Sequence, residues 1–183
     1  FQDISKKLLG CDEIYTWNAK SNLKSRWHGS AEYFHQDWEY WKGLGFKSHN
    51  MIHCMVFVDN HSHENGGLWV FPESQKKNLL HKKFLNINSL QKNLIPVETL
   101  DKMNKQRKAI PIECKAGSCL FFHSKLIHGS AHNISSKNRI ILLYGIFSKE
   151  NIKVAKSEKV KSFNSKQRKK FELFELKKRI NKL

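Results

Sequence analysis

The chain has 183 residues and a formal net charge of +17, with 33 Lys and Arg residues against 16 Asp and Glu residues. This length fits one domain with its own core, and a hydrophobic share of 39% excludes wholesale disorder. No apolar run reaches the roughly 20 residues that span a bilayer, which excludes a membrane-spanning helix.

The first residue and the cysteines bear on two questions: whether the chain is part of a longer protein, and which cellular compartment it is expected in. It opens on Phe1 in the middle of a pattern, which predicts a fragment or processed product of a longer protein. The four cysteines show no Cys-x-x-Cys spacing, so neither a zinc knuckle nor a disulfide framework is predicted. They are Cys11, Cys54, Cys114 and Cys119. The expected location is therefore a reducing cytoplasm.

The positive charge favours a nucleic-acid partner at first sight, because a basic surface attracts phosphate whatever the sequence. However, only five of the 33 basic residues are arginines, the residue type preferred for bidentate recognition of phosphates or bases. We interpret the lysine excess as a compositional feature of the source, and we favour this interpretation over a nucleic-acid interface.

Short β-strands account for most of the predicted elements, beginning with 13–20, where apolar and polar residues alternate. A second strand is predicted over 33–38, and a central one, rich in apolar and β-branched residues, over 51–59. Asn65-Gly66-Gly67 is expected to supply the positive-φ turn of a hairpin that returns through a strand at 68–71.

The second half of the chain continues this pattern after an interruption. The polar, Lys- and Asn-rich segment 75–108 is predicted to carry short helices. Strands follow at 110–112, 118–123 and 139–147, and apolar residues at helical intervals predict a C-terminal helix over 167–180. Many short strands and few helices predict an all-β fold with flanking helices, a sandwich or jelly roll with an open-mouthed pocket.

His35-Gln36-Asp37 carries an imidazole and a carboxylate two residues apart. On a strand, this spacing points both side chains to the same face. With a third donor from elsewhere in the fold, the pair would form the facial triad that binds Fe(II) and leaves three adjacent coordination positions open. Chance supplies about one such pair in a chain of this composition, so the motif has value only together with others.

The segment after the strand at 118–123 supplies the other candidates. His128, followed by Gly129-Ser130, is predicted as the third ligand, with His123 and His132 as the flanking alternatives. Arg139 opens the last apolar strand. A guanidinium there can hold the far carboxylate of a dicarboxylate whose near end chelates the metal.

A second histidine-rich region is predicted to have no metal-binding role. His49, His53, Cys54, His61 and His63 lie close together in the sequence, but their spacings fit no structural zinc pattern. Among the aromatic residues after the first motif, Trp38 and Tyr40 are predicted to pack in the core, while Trp41 fits the core and the pocket equally.

Three blocks of the sequence resemble the signatures of the phytanoyl-CoA dioxygenase family, which includes ectoine-hydroxylase-like enzymes. The first is His-Gln-Asp-Trp-Glu-Tyr-Trp at 35–41, and the second is Glu-Asn-Gly-Gly-Leu-Trp-Val-Phe-Pro-Glu-Ser at 64–74. The third is His-Gly-Ser at 128–130 together with Arg139. The resemblance extends over about residues 13–147.

The resemblance implies a fold and a domain organisation. Residues 1–149 would form a double-stranded β-helix, a cupin-like jelly roll, and 150–183 would be a basic helix or tail of the same domain. Much of the segment that precedes the first iron ligand in family members is missing, so the domain is expected to be truncated at its N-terminus. Gln75 departs from the family pattern, which has His there, without affecting the iron site.

The resemblance also implies Fe(II), 2-oxoglutarate and O₂ as cofactor and co-substrates, and hydroxylation of a small organic substrate with release of succinate and CO₂. The implied iron ligands are His35, Asp37 and His128; the co-substrate contacts are Arg139, Ser130 and Asn18; the substrate contacts are Trp41, Lys20 and Asn22.

Two other functions stay open at this point. A cupin-like binding module with a vestigial metal site predicts weak metal binding and no succinate. A basic nucleic-acid-binding domain predicts an affinity that falls steeply with salt. The primary substrate is not predicted, because family members act on acyl-CoA thioesters, small zwitterions and secondary metabolites, and the oligomeric state is likewise open.

Overall fold

The computed structural model of the protein describes residues 1–78, 82–83 and 93–151. The strands are β1 (Ile14–Lys24), β2 (Glu32–His35), β3 (Met51–Phe57), β4 (Leu68–Val70), β5 (Lys82–Lys83), β6 (Asn93–Leu94), β7 (Ile110–Pro111), β8 (Cys119–His123), β9 (His128–Ser130) and β10 (Arg139–Ser148). The helices are α1 (Gln2–Leu9), α2 (Trp38–Trp41) and α3 (Val97–Gln106), with 3-10 turns at Ser74–Lys76 and Lys149–Asn151.

Two four-stranded antiparallel sheets form the body of the described part of the chain. The first has the strand order β1-β10-β3-β8 and the second β2-β9-β4-β7. Met55 and Phe57 of β3 pack against Leu68 and Val70 of β4 in one core cluster, which joins the two sheets. The predicted all-β fold is confirmed, and so are the predicted strands near 13–20, 51–59, 110–112, 118–123 and 139–147.

Helix α1 explains why the central strand β3 is apolar on both faces. Alternate residues of β3 face the core between the sheets, while Ile52 and Cys54 face outward. There they pack with Leu9 of α1 and with Ile146 of β10. A strand covered on both sides is apolar at most positions and not only at every second one, and in β3 the polar exception is His53. The sequence prediction contained no helix at this position.

The predicted hairpin around Asn65-Gly66-Gly67 is wrong. Gly66 does have a positive φ of 77°, but β3 lies in the first sheet and β4 in the second, so the chain crosses between sheets here. The reason is that β3 and β4 bury their side chains from opposite sides of one core. The Gly67 N–H donates to the Ser62 carbonyl at 2.9 Å and holds the crossover closed.

Parts of the prediction fall outside the described residues, including the C-terminal helix over 167–180. Of the segment 75–108, the described part contains α3, which confirms a short helix there. The proposed division at residues 149 and 150 stays a prediction. No helix in the described part of the chain is long and apolar enough to cross a membrane.

The crossover geometry can be tested with Gly67→Ala. A Cβ at residue 67 would lie 2.3 Å from the Ser62 carbonyl oxygen, so the backbone must shift. We expect the free energy of unfolding to fall by about 1–3 kcal/mol, the usual cost of overpacking. Gly43→Ala is the control, because a Cβ there meets no atom within 4 Å. Urea denaturation compares the variants, and equal stability would contradict the crossover.

Candidate metal centre

A cavity of about 970 Å³ opens between the two sheets, and residues of both sheets line it. Its wall includes His35, Asp37 and His128 as well as Arg139. The cavity therefore contains all four residues that sequence reasoning placed at the centre of the site.

The pairing of β2 with β9 brings the two predicted histidine ligands together. His35 and His128 are direct partners across this antiparallel ladder, and their ring centroids lie 4.4 Å apart. Asp37 completes the group: its Oδ1 lies 3.7 Å from His35 Nε2 and its Oδ2 lies 3.4 Å from His128 Nε2. One ligand atom from each residue lies within 4.8 Å of the other two, which allows the three to share one metal ion.

Asp37 reaches this position by a different route from the one predicted. The strand expected over 33–38 ends at His35, and Asp37 has right-handed helical angles (φ −62°, ψ −31°) as the residue before α2. The cause is the packing of the next aromatic residues: Trp41 is buried against Phe46, which requires the chain to turn. The strand geometry was wrong, although the carboxylate still converges on the imidazoles.

Contacts with backbone carbonyls fix the tautomer of the two predicted histidine ligands. His35 Nδ1 lies 2.7 Å from the Tyr33 carbonyl oxygen, and His128 Nδ1 lies 2.9 Å from the Leu126 carbonyl oxygen. A carbonyl oxygen only accepts, so Nδ1 of each ring carries the proton and Nε2 of each ring has the lone pair. Both Nε2 atoms face the Asp37 carboxylate, where a shared metal would bind, which is the usual arrangement for histidine ligands.

Burial and mutual attraction set the protonation of this group. Burial opposes the charge on Asp37, but the imidazoles of His53, His128 and His35 outweigh it and hold the pKa of the Asp37 carboxyl well below its usual range. Burial lowers the pKa of His128 to about 4. Burial also opposes a charge on His35, but Asp37 outweighs it and raises the His35 pKa. An ionised carboxylate beside a neutral imidazole is the form that binds a divalent metal.

Two buried cations face the same cavity. Arg139 and Lys24 are 2% and 4% exposed, and no carboxylate of the described residues lies within ion-pair distance of either. Arg139 Nη2 donates to the Gly66 carbonyl at 3.0 Å, while its buried Nε has no hydrogen-bond partner in the part of the chain that the structure describes. Lys24 Nζ donates to Ser130 Oγ at 2.7 Å and to the Ala131 carbonyl oxygen.

The electrostatics of these cations favour an anionic ligand. Burial lowers the pKa of Arg139, and burial together with the nearby Arg139 guanidinium lowers the pKa of Lys24 to about 8. A buried charge without a partner is costly, and a bound carboxylate removes that cost. Sequence reasoning missed Lys24, although its spacing from Lys20 and Asn22 on β1 places all three on one face of the strand.

The remaining predicted contacts are divided between the cavity and the fold. Lys20, Asn22, Trp41 and Ser130 all line the cavity. Asn18 is not among the lining residues: its Oδ1 accepts the Gly145 N–H at 2.9 Å, next to the register shift in β1. This contact gives Asn18 a role in the sheet.

The histidines that flank the predicted third ligand do not join the metal group. His123 Nδ1 accepts the Lys125 N–H at 3.0 Å, and its ring packs against His49. His132 lies at the cavity wall but is not part of the convergent group found among the described residues. His53, for which the sequence predicted no role at the site, does contact the group: its Nε2 lies 2.8 Å from Asp37 Oδ2.

The family model described as phytanoyl-CoA dioxygenase (PhyH) matches residues 1–141 of this chain. The match includes the convergent His-Asp-His group and the buried Arg139. The chain belongs to the phytanoyl-CoA dioxygenase family, as the resemblance of its three sequence blocks predicted.

The curated relatives that this chain matches include a hydroxylase and a dioxygenase. L-proline trans-4-hydroxylase of Streptomyces griseoviridis is 26% identical over 154 residues, which cover 76% of this chain and 56% of that protein. Ectoine dioxygenase of Bordetella parapertussis is 28% identical over 163 residues, covering 81% of this chain and 51% of that protein. The chain thus spans about half the length of the curated relatives it matches.

Solved structures share the fold. EctD from S. alaskensis, determined with 2-oxoglutarate and 5-hydroxyectoine, superposes with a TM-score of 0.69 at 23% identity, covering 82% of this chain and 49% of that one. EvdO2 from Micromonospora carbonacea var. aurantiaca, complexed with 2-oxoglutarate, gives a TM-score of 0.65 at 16% identity, covering 86% and 61%. At these identities the likeness establishes the fold, and it confirms the predicted jelly roll.

The choice of His128 as a ligand predicts the result of two alanine substitutions. His128→Ala removes one of three convergent donors, so we expect Co(II) affinity to fall by at least about 100-fold, judged from the 10–100-fold losses seen for supporting residues alone. His123→Ala, five residues earlier on β8, should bind like the unchanged protein. Titration followed by visible absorption measures both, and loss of binding in the His123 variant alone would reverse the assignment.

Proposed function

We propose that this chain is a non-haem Fe(II)- and 2-oxoglutarate-dependent dioxygenase that hydroxylates a small organic substrate and releases succinate and CO₂. The observation that carries the proposal is one cavity with a His-Asp-His metal group on its wall and, beside it, two buried cations that pair with no carboxylate of the described residues. Relatives that act as a proline hydroxylase and an ectoine dioxygenase support it.

The donor set fits iron of this class. Two imidazole nitrogens and one carboxylate oxygen form the facial triad of non-haem Fe(II) oxygenases, which leaves positions open on one side of the ion. His35, Asp37 and His128 would hold it. When bound, the iron supplies the activation of O₂ that couples oxidative decarboxylation of 2-oxoglutarate to hydroxylation of a C–H bond.

The two cations fit the other end of the co-substrate. 2-Oxoglutarate is a dicarboxylate, and its carboxylate remote from the keto group needs a positive partner in a buried site. Arg139 offers its unpartnered Nε, and Lys24 and Ser130 lie alongside as a hydrogen-bonded pair. We assign these three residues to the binding of that carboxylate, and we leave out Asn18.

The inner part of the cavity wall is apolar, whereas its rim is polar and exposed to solvent. Its inner part includes Met55, Leu68 and Phe122, apolar side chains that exclude water from the reacting groups. Its rim includes the exposed Lys20 and Tyr33. We assign the rim, together with Asn22 and Trp41, to contact with a small polar substrate. The cytoplasmic location stays a prediction, supported by four free cysteines.

An anaerobic titration tests the proposal directly. Addition of Fe(II) and then 2-oxoglutarate should give the visible charge-transfer band of the chelated pair, and Asp37→Ala should abolish it because one of three ligands is lost. Admission of O₂ to the unchanged protein should then yield succinate. A cupin-like module with a vestigial site would give no band, and a nucleic-acid-binding domain would give salt-sensitive binding of oligonucleotide in its place.

The Lys24 assignment predicts a pH dependence. The ammonium group is charged below its pKa of about 8. Affinity for 2-oxoglutarate in the Fe(II)-loaded protein should therefore be highest below pH 8 and fall as the pH rises through that value. Lys24→Met should bind about tenfold more weakly at pH 7, because a charge-assisted hydrogen bond is lost, and should lose this pH dependence.

The exposed Lys115 provides the control for this experiment, because it lies outside the cavity. Lys115→Met should retain both the affinity and the pH profile of the unchanged protein. Calorimetric titration at pH 7 and pH 9 measures all three proteins. Identical profiles for the Lys24 and Lys115 variants would remove Lys24 from the co-substrate site.

A further inference from the structure

His53 contacts the proposed metal ligand Asp37 from the opposite sheet. It lies on β3 of the first sheet, whereas His35 and His128 come from the second sheet. His53 Nε2 is 2.8 Å from Asp37 Oδ2, closer than either of the other two imidazoles comes to the carboxylate. The convergent metal group found among the described residues does not include His53.

The surroundings of His53 are apolar. Its side chain is 1% exposed and stands between the ring of Trp41, at 4.7 Å between centroids, and the stacked ring of Phe122, at 4.9 Å. Among the described residues neither Nδ1 nor Nε2 has a hydrogen-bond partner of good geometry, and the polar atom that approaches Nε2 is Asp37 Oδ2 at 2.8 Å. A phenylalanine would fill this space without burying a polar atom, so the contact with Asp37 is what an imidazole adds here.

This contact determines which nitrogen of His53 carries the proton. A proton on Nδ1 would bury an unpaired donor and leave the lone pairs of Nε2 and Asp37 Oδ2 facing each other at 2.8 Å. A proton on Nε2 faces the carboxylate oxygen at that distance, where a small rotation of the ring aligns the N–H for donation, and it leaves only an acceptor unpaired. His53 therefore has the opposite tautomer to His35 and His128, whose Nδ1 atoms donate to backbone carbonyls.

We propose that His53 is a positioning residue that donates from Nε2 to Oδ2 of Asp37 and so leaves Oδ1 as the oxygen that binds the metal. This inference rests on the proposed function. A carboxylate that binds through both oxygens takes two coordination positions, whereas one oxygen leaves three positions open on a six-coordinate ion. These open positions are what the proposed binding of 2-oxoglutarate and activation of O₂ would require.

The test uses two substitutions of His53 and one matched control. His53→Phe keeps a ring between Trp41 and Phe122 but removes the donor. His53→Gln keeps an amide N–H that can reach the position of Nε2. The control, His123→Phe, makes the same change on the neighbouring strand, away from Asp37. Each protein is titrated with Co(II) under visible absorption, and its thermal midpoint is measured without metal.

We expect His53→Phe to keep its metal-free thermal midpoint within a few degrees of the unchanged protein and to bind Co(II) about 10–100-fold more weakly, the usual effect of losing a residue that orients a ligand. The Co(II) spectrum should also change, since Asp37 gains freedom to bind through both oxygens. His53→Gln should restore most of the affinity, and His123→Phe should not differ from the unchanged protein.

Three results would overturn the inference. Unchanged Co(II) affinity and spectrum in His53→Phe would remove the positioning role and leave the proposed function standing. Equal losses of metal-free stability and affinity in both His53 variants would show that His53 acts through packing alone. Failure of the unchanged protein to bind Co(II) or Fe(II) would overturn the proposed function together with this inference.

A measurement on the unchanged protein decides the matter if both His53 variants fail to fold. With Zn(II) bound, the ring nitrogens of each histidine can be assigned by nitrogen-15 chemical shift. A protonated Nε2 and a bare Nδ1 at His53, opposite to His35 and His128, support the inference. A protonated Nδ1 at His53 contradicts it, whatever the affinity of any variant.

Discussion

The buried carboxylate of Asp37 is the charge on which the rest of this site depends. Moving a carboxylate out of water costs several kcal/mol unless partners compensate it. Here the compensation comes from imidazoles on both sheets: His35 and His128 on one side and His53 on the other. The same attraction therefore holds the ligands together and ties the two sheets to each other across the cavity.

The cations at the cavity wall are the counterpart of this carboxylate. Lys24 and Arg139 are buried, yet neither pairs with Asp37 or with another carboxylate of the described residues. The negative group and the positive groups of this cavity lie apart. This arrangement favours a ligand that can bind a metal at one end and carries an anionic group for the cations at the other end. The net charge of +17 gave no indication of this, because these are two of 33 basic residues.

Sequence reasoning succeeded where local pattern decides structure. The central strand β3 and the last strand β10 are apolar stretches that only a buried strand accommodates, and the motif blocks supplied His128 and Arg139. It failed where distant contacts decide. The helical turn at Asp37 follows from aromatic packing, and the crossover at Gly67 follows from two strands that share one core. The sequence predicted no role for His53 because spacing along the chain was compared with zinc patterns. Its contact with Asp37 instead joins two sheets that are distant in the sequence.

The layout also separates the residues that the proposed chemistry requires from the residues that would contact the substrate. The proposed ligands and the two cations come from strands β1, β2, β9 and β10 and from the turn after β2, all within one pair of packed sheets. The substrate contacts we propose lie at the rim, where Lys20 is exposed to solvent. A rigid pair of sheets can hold iron and 2-oxoglutarate in fixed positions while rim residues vary. Metal and co-substrate binding are therefore the parts of the proposed function that these two sheets support, and substrate selection is expected to depend on the rim residues.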